Sequence, residues 1–236
     1  DDLANAREIM RSVYRIPEYR AHLERRGNKQ TIMLGFSDGT KDVGYLRANW
    51  SIFRAKESLT ALAGEFGIAV VFFDGRGGPP ARGGGNTHDF YASLGKNISS
   101  EEVQITIQGQ TISTNFGKPA SCRYNLEQLL SAGLEGSVFA NDEHQLSDED
   151  KTLLDQLAEE GYKAYIDLKT HPCFVPYLEK VTPLPYFGST NIGSRPVKRS
   201  GGSGLRLEDL RAIPFVGSWA MMKQNLPGFY GVGSAI

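Results

Sequence analysis

The chain has 236 residues, with 26 Lys and Arg against 27 Asp and Glu, a formal net charge of -1, 40% hydrophobic residues and 22% charged residues. These proportions are those of an ordinary globular chain, and the near-neutral balance argues against a dominant role in coating nucleic acid or an anionic membrane, which requires an excess of Lys and Arg. No apolar run approaches the roughly 18–20 residues that cross a bilayer, and the opening DDLANAREIM lacks the charged-then-apolar pattern of a secretory signal. The expected compartment is therefore the cytoplasm. Cys122 and Cys173 have neither CxxC spacing nor adjacent His ligands, which predicts two free thiols. A first residue other than Met and an apolar final stretch, GFYGVGSAI, suggest a piece of a longer polypeptide.

In chain order, residues 4–27 read as helical, interrupted by Pro17. Thr31 to Phe36 is a short apolar run of strand length, followed by a polar loop over 37–44. From Tyr45 to Phe66 apolar residues recur every three or four positions, placing Arg47, Arg54, Lys56 and Glu57 beside the buried stripe of a long helix that Gly67 ends. Ile68 to Phe73 is a second apolar run, as expected of a strand buried on both faces of a parallel sheet. Strand, helix and strand make a βαβ unit, with ligand chemistry expected in the loops 37–44 and 74–88 at the carboxyl ends of the strands. Val103 to Ser113 alternates and predicts a third strand with a kink at Gly109. Helices are expected over 123–132 and 148–160, the latter capped by Ser147. Residues 171–190, with four prolines, read as irregular, and 207–212 and 216–225 as helical.

Residues 74–88, Asp-Gly-Arg-Gly-Gly-Pro-Pro-Ala-Arg-Gly-Gly-Gly-Asn-Thr-His, put Arg76 and Arg82 where glycine lets the backbone approach a ligand. A guanidinium is a planar fork matched to phosphate or carboxylate, so an anion site is one reading and a flexible RGG-like surface or RNA-binding loop another. Arg195 in NIGSRPVKR and Arg211 in LRAIPF form a second basic constellation, read as anion-binding or as a solvated charge cluster. Asp38, with Lys41 and Asp42 nearby, follows the first strand and reads either as a ligand for Mg²⁺ or Mn²⁺ or as turn chemistry. His88 is expected to be a structural hydrogen-bonder, and no GxSxG, HExxH or Walker A pattern is present.

At these motifs the chain resembles the C-terminal catalytic part of the phosphoenolpyruvate carboxylases. The matching pieces are MLGFSDGTKDVG (33–44), FFDGRGGPPARGGGNTH (73–88 with Phe72), TIQGQTISTNFG (106–117), NIGSRPVKR (191–199) and LRAIPFVGSW (210–219), in order across nearly the whole chain. The resemblance implies carboxylation of phosphoenolpyruvate by bicarbonate to oxaloacetate and phosphate, with Mg²⁺ or Mn²⁺ as cofactor. It assigns Asp38 to the metal, Arg76 to the carboxyphosphate or phosphate, Arg82 to the order of the glycine-rich loop, and Arg195 and Arg211 to the substrate phosphate. Lys41 would have an electrostatic role, and Met33 would help form the apolar wall around the substrate methylene and CO2. Asp74 stands where most relatives carry His in an FHGRGG segment, and a carboxylate there would orient Arg76.

The implied fold class is α/β, a partial TIM-type (β/α) barrel, because a whole barrel takes about 250 residues and only four or five strand candidates occur. The expected organisation is one C-terminal catalytic fragment, residues 1–236: a leading helix to 30, a βαβ core over 31–117, and remaining barrel elements with a phosphate loop over 118–236. A homo-oligomer, a tetramer by resemblance, is expected of the full-length form, with no nucleic-acid or membrane partner and no activity from this chain alone. The alternative is a non-catalytic fragment or paralogue that binds an anion or a partner chain.

Overall fold

The structure, a computed structural model, describes residues 2–107, 109–138, 145–189 and 205–236. They form a mixed α/β chain that divides into two compact units. The first comprises residues 1–35, 50–78 and 85–151; the second comprises 36–49, 79–84 and 152–236.

The first unit opens with α1 (Asp2–Tyr14) and α2 (Pro17–Arg25), the break falling where Pro17 occupies the first turn of α2. Its sheet has three parallel strands in the order β1 (Lys29–Leu34), β2 (Ala69–Gly77) and β3 (Val103–Ile107). Lys29 pairs with Ala69 and Phe72 with Val103, so β2 is the central strand. Its near-continuous burial explains the unbroken Val70-Val71-Phe72 run. Between β1 and β2 come α3 (Phe36–Val43), which belongs to the second unit, and α4 (Tyr45–Glu65). In the first unit α4 buries Ile52, Ala55, Leu59, Leu62 and Ala63, each at most 2% exposed. Removing such side chains from water stabilises by roughly 1.5–3 kcal/mol for each of the larger ones. After β2 come the short α5 (Thr87–Ala92), α6 (Gln110–Phe116) and α7 (Pro119–Val138), the last packing on α5 and α6.

The second unit holds α3, the start of α4, a 3₁₀ turn over Pro80–Arg82, most of α8 (Asp148–Thr170), α9 (Phe174–Val181), α10 (Ala212–Met221), α11 (Leu226–Phe229) and α12 (Val232–Ala235). Its core gathers Phe174, Leu178, Leu184, Leu210, Phe215, Val216 and Trp219. Tyr177 stacks on Trp219 with ring centroids 5.9 Å apart.

Several elements differ from the sequence-based expectation. Residues 36–43 are helical rather than a polar loop, because Phe36 and Thr40 lie one turn apart and are both buried. β2 continues through Asp74-Gly75-Arg76-Gly77 instead of ending at Phe73. Gly77 is required there because its pairing with β3 is shifted, and a Cβ would lie 1.5 Å from the Thr106 carbonyl oxygen. β3 stops at Ile107 and residues 110–116 turn into α6, led by Gly109 at φ 55°. Residues 174–181 and 184–189 are helical rather than irregular, Pro176 being tolerated in the first turn. α8 runs ten residues beyond the expected end; residues 207–211 are not helical, and the helix expected over 216–225 runs instead from Ala212 to Met221. The Ser147 cap forms as expected: Asp150 N donates to Ser147 Oγ (3.1 Å) and Ser147 N to Asp150 Oδ2 (3.0 Å). Among the described residues the sheet has three strands, not four or five.

Candidate active site

In the first unit the chemistry is built on one face of β2. Phe72, Asp74 and Arg76 alternate along the strand and are 1%, 0% and 6% exposed. A carboxylate with no solvent access needs a cation or several donors, and Asp74 has both. Lys56 Nζ donates to Asp74 Oδ2 at 2.7 Å and the Tyr91 hydroxyl donates to the same oxygen at 2.8 Å. The second carboxylate oxygen, Oδ1, is shielded from water and meets no donor among the described residues. Lys56 is 1% exposed, in the buried stripe of α4 one turn from both Ile52 and Leu59, rather than beside that stripe. Its ammonium also lies 5.2 Å from the Phe72 ring centroid and 5.3 Å from that of Phe90. Burial lowers the Lys56 pKa and Asp74 opposes that shift, whereas burial and the Asp74 charge both push the Tyr91 phenol far up. The phenol therefore remains a hydrogen-bond donor at neutral pH.

Arg76 is held from α5. Its guanidinium carbon lies 4.0 Å over the Phe90 ring, and Nη2 donates to the Asn86 carbonyl at 3.4 Å. Asn86 is the N-cap of α5, its side chain accepting from the His88 and Asp89 amides. His88 Nε2 lies 3.2 Å from Glu135 on α7, the structural pairing expected of it. The hydrogen bonds of Asp74 run to Lys56 and Tyr91, and Tyr91 and the Phe90 under Arg76 are neighbours on α5, which links the two groups. Met33, beside Phe73 in the β1–β2 register, is 64% exposed.

In the second unit the remaining candidates sit on α3, the 3₁₀ turn and α10, which pack against one another. Asp38 is exposed in the first turn of α3. Lys41 is 4% exposed and its Nζ pairs with Asp42 at 2.6 Å, so its charge is already partnered. The Ser37 hydroxyl donates to the Arg82 carbonyl at 3.3 Å, and burial lowers the Arg82 pKa from its ordinary value. Gly83, at φ 78°, lies against Thr40 and Phe36, and a Cβ there would be 2.9 Å from Thr40 Oγ1. Arg211 occupies the N-cap position of α10, with Nε shielded from water and unmatched by an acceptor among the described residues. Arg195 and its NIGSRPVKR motif lie outside the described residues.

Sequence reasoning missed the support of α3. The Tyr165 hydroxyl donates to Lys41 O at 2.9 Å, while Lys169 Nζ donates to Lys41 O at 3.1 Å and to Asp42 O at 2.9 Å. These donors from α8 satisfy carbonyls that the end of α3 leaves open, and a cation there suits the helix dipole. Burial is the main reason the Lys169 pKa falls to about 8, from an ordinary value of 10.5. Because the folded value is depressed, Lys169 contributes stability that is fully present above 10.5 and is lost as pH falls through about 8. Competitive acylation across pH 7–11, read by mass spectrometry, is expected to show Lys169 half-reactive near pH 8; a midpoint near 10.5 would refute the burial account.

Among the described residues no cluster of three or more His, Cys, Asp or Glu side chains could hold a metal ion. Of the sequence-based candidates Asp38 offers one carboxylate, whereas Mg²⁺ takes one or two from the protein with water and substrate oxygens. The described residues therefore fit one ligand position of such a centre and do not make the centre by themselves. The free thiols Cys122 and Cys173 agree with expectation. No helix among the described residues is long and apolar enough to cross a membrane.

The whole sequence, residues 1–236, matches the family model described as phosphoenolpyruvate carboxylase. The chain belongs to the phosphoenolpyruvate carboxylase family. It is 40% identical over 238 aligned residues to a phosphoenolpyruvate carboxylase of Corynebacterium diphtheriae, with all of this chain and 26% of that protein covered. The corresponding protein of Mycobacterium leprae is 38% identical, with 25% of it covered, and that of Roseiflexus castenholzii is also 38% identical, again with 25% covered. The chain thus spans about a quarter of the length of these curated family members.

Proposed function

We propose that the complete polypeptide carrying this chain carboxylates phosphoenolpyruvate with bicarbonate, yielding oxaloacetate and phosphate. The family match over the full 236 residues carries the reading, and the buried arginine at the end of β2 gives it a chemical basis. Bicarbonate oxygen attacks the substrate phosphorus and the bond from phosphorus to the enol oxygen breaks, leaving carboxyphosphate and the pyruvate enolate. Carboxyphosphate then releases CO2 and phosphate, and the enolate methylene carbon forms its new bond to CO2. Every reacting species is anionic, so fixed cations that need no reorganisation lower the barrier most.

Arg76, held by its ring and carbonyl partners, binds the carboxyphosphate or phosphate oxygens with its planar fork. Arg82 sets the order of the glycine-rich turn, and Arg195 and Arg211 hold the substrate phosphate; the unmatched Arg211 Nε supports an anion at that position. Lys41, already paired with Asp42, acts electrostatically. Met33 contributes an exposed apolar side chain to the wall that keeps water from the enolate. Asp38 would supply one carboxylate to Mg²⁺ or Mn²⁺, which when bound would add positive charge to stabilise the anionic substrate. In this reading the chain is the C-terminal catalytic portion of a (β/α) barrel, in a cytoplasmic homo-oligomer.

The test supplies the complete polypeptide with phosphoenolpyruvate, bicarbonate and Mg²⁺ and reduces oxaloacetate as it forms. Turnover that requires bicarbonate is expected, with none from the 236-residue chain alone. Phosphate binding by the complete polypeptide without oxaloacetate would replace this reading with non-catalytic anion binding.

A further inference from the structure

The buried group around Asp74 has no role in the reaction just described, yet it is joined to Arg76 by a short series of contacts. Asp74 and Arg76 lie two residues apart on β2, and adjacent residues of α5 reach both of them. Two points fasten α5 to the strand. At one, the Tyr91 hydroxyl donates to Asp74 Oδ2, which Lys56 also holds from α4. At the other, the adjacent Phe90 ring lies under the Arg76 guanidinium and the Asn86 carbonyl accepts from it. Lys56 touches the Phe90 and Tyr91 rings as well, at 5.3 and 5.7 Å from their centroids. Phe90 and Tyr91 meet edge to face at 5.0 Å, so a displacement of one ring is passed to the other.

We infer that Lys56, Asp74 and Tyr91 are positioning residues for Arg76, fixing α5 on β2 so that Phe90 and Asn86 hold the guanidinium in one orientation. The arrangement explains why a carboxylate is accommodated in the glycine-rich strand end: its partner is a lysine on α4 and its output is the placement of a helix. It is also costly for a merely structural element, since an apolar side chain would fill the same interior without desolvating a charge. The inference rests on the proposed carboxylation for its kinetic consequences and on geometry alone for the placement of Arg76.

Tyr91→Phe is the mildest test, because the ring stays and only the hydroxyl is removed. In the complete polypeptide, kcat is expected to fall about 10- to 100-fold with little change in KM for phosphoenolpyruvate. A misplaced guanidinium also leaves the carboxyphosphate that delivers CO2 poorly placed against the enolate. The enolate then takes a proton from solvent at its methylene carbon, and the ratio of pyruvate to oxaloacetate rises. Leu62→Ala, a change to the α4 core that leaves these contacts in place, should leave that ratio unmoved. Phe90→Leu removes the platform under Arg76 while keeping the buried pair, and is expected to reproduce the product shift should Tyr91→Phe fail to fold.

Inorganic phosphate affinity, measured by calorimetry on the same proteins, separates the two claims. Absence of oxaloacetate from the unmodified protein would defeat the proposed function, while weaker phosphate binding in Tyr91→Phe or Phe90→Leu would still support the positioning of Arg76. Unchanged kcat, product ratio and phosphate affinity in either folded variant would overturn the inference.

Discussion

Asp74→Ala is expected to weaken the β2 region by about 3–5 kcal/mol, the usual cost of leaving one member of a buried ion pair alone. Lys56 would then be a cation with 1% exposure and no carboxylate, and it would have to lose its proton or draw in water. Lys56→Ala should cost a similar amount by stranding the Asp74 carboxylate. The informative comparison removes every charged and hydrogen-bonding member together. Lys56→Met with Asp74→Leu and Tyr91→Phe should recover most of the loss, because the attraction within a buried pair roughly offsets its desolvation. Hydrogen exchange of β2 amides in the complete polypeptide reads this directly. Protection should fall by about 10²–10³ or more in Asp74→Ala, since about 1.4 kcal/mol corresponds to tenfold, and should return in the triple variant. Equal protection in Asp74→Ala and the unmodified protein would mean that the pair contributes no stability to the sheet.

Arg76→Ala is expected to reduce kcat for carboxylation by about 10²–10³, the size of effect found when a fixed charge-stabilising donor is removed. Arg76→Lys should recover only part of it, because an ammonium keeps the charge but loses the planar pair of donors and the broad face on Phe90. Steady-state rates of oxaloacetate formation at saturating phosphoenolpyruvate and bicarbonate check both. Full activity in Arg76→Lys would show that charge alone matters at this position and that the orientation set by Asn86 and Phe90 is dispensable.

The repeating pattern in the sequence exposed the elements that bury one continuous apolar face. Ile68 to Phe73 could be read as a central strand because both faces of β2 are covered, and α4 because its stripe recurs at helical spacing. Patterns failed where a short element is fixed by contacts with distant residues. α3 carries Ser37, Asp38, Gly39 and Thr40, turn-forming residues in isolation, and the helix is favoured by the burial of Phe36 and Thr40 and by the Tyr165 and Lys169 donors on its last carbonyls, none of which is local to the segment. α9 was obscured by the prolines around it.

The motifs placed Arg76, Arg82 and Arg211 near element ends, since glycine and arginine in a short stretch are a local signal. The partner of Asp74 was not local: Lys56 lies 18 residues upstream among ordinary surface-type helix residues. A signal was nevertheless present in the chain. An aspartate extending the apolar run Ile68–Phe73 must be matched, and Lys56 stands four residues after Ile52 and three before Leu59, within the buried face.

The tether on α3 also sets an order of events in the making of the protein. The carbonyls of Lys41 and Asp42 receive Lys169 across 128 and 127 residues of chain. At a synthesis rate of about 5–20 residues per second, α3 leaves the ribosome roughly 6–25 s before its tether exists. Throughout that interval Asp38 sits on a helix shorter than the length stable alone in water, about 12–15 residues. The first candidate site residue of this unit to be synthesised therefore waits on a lysine made more than a hundred residues later before its helix is tethered.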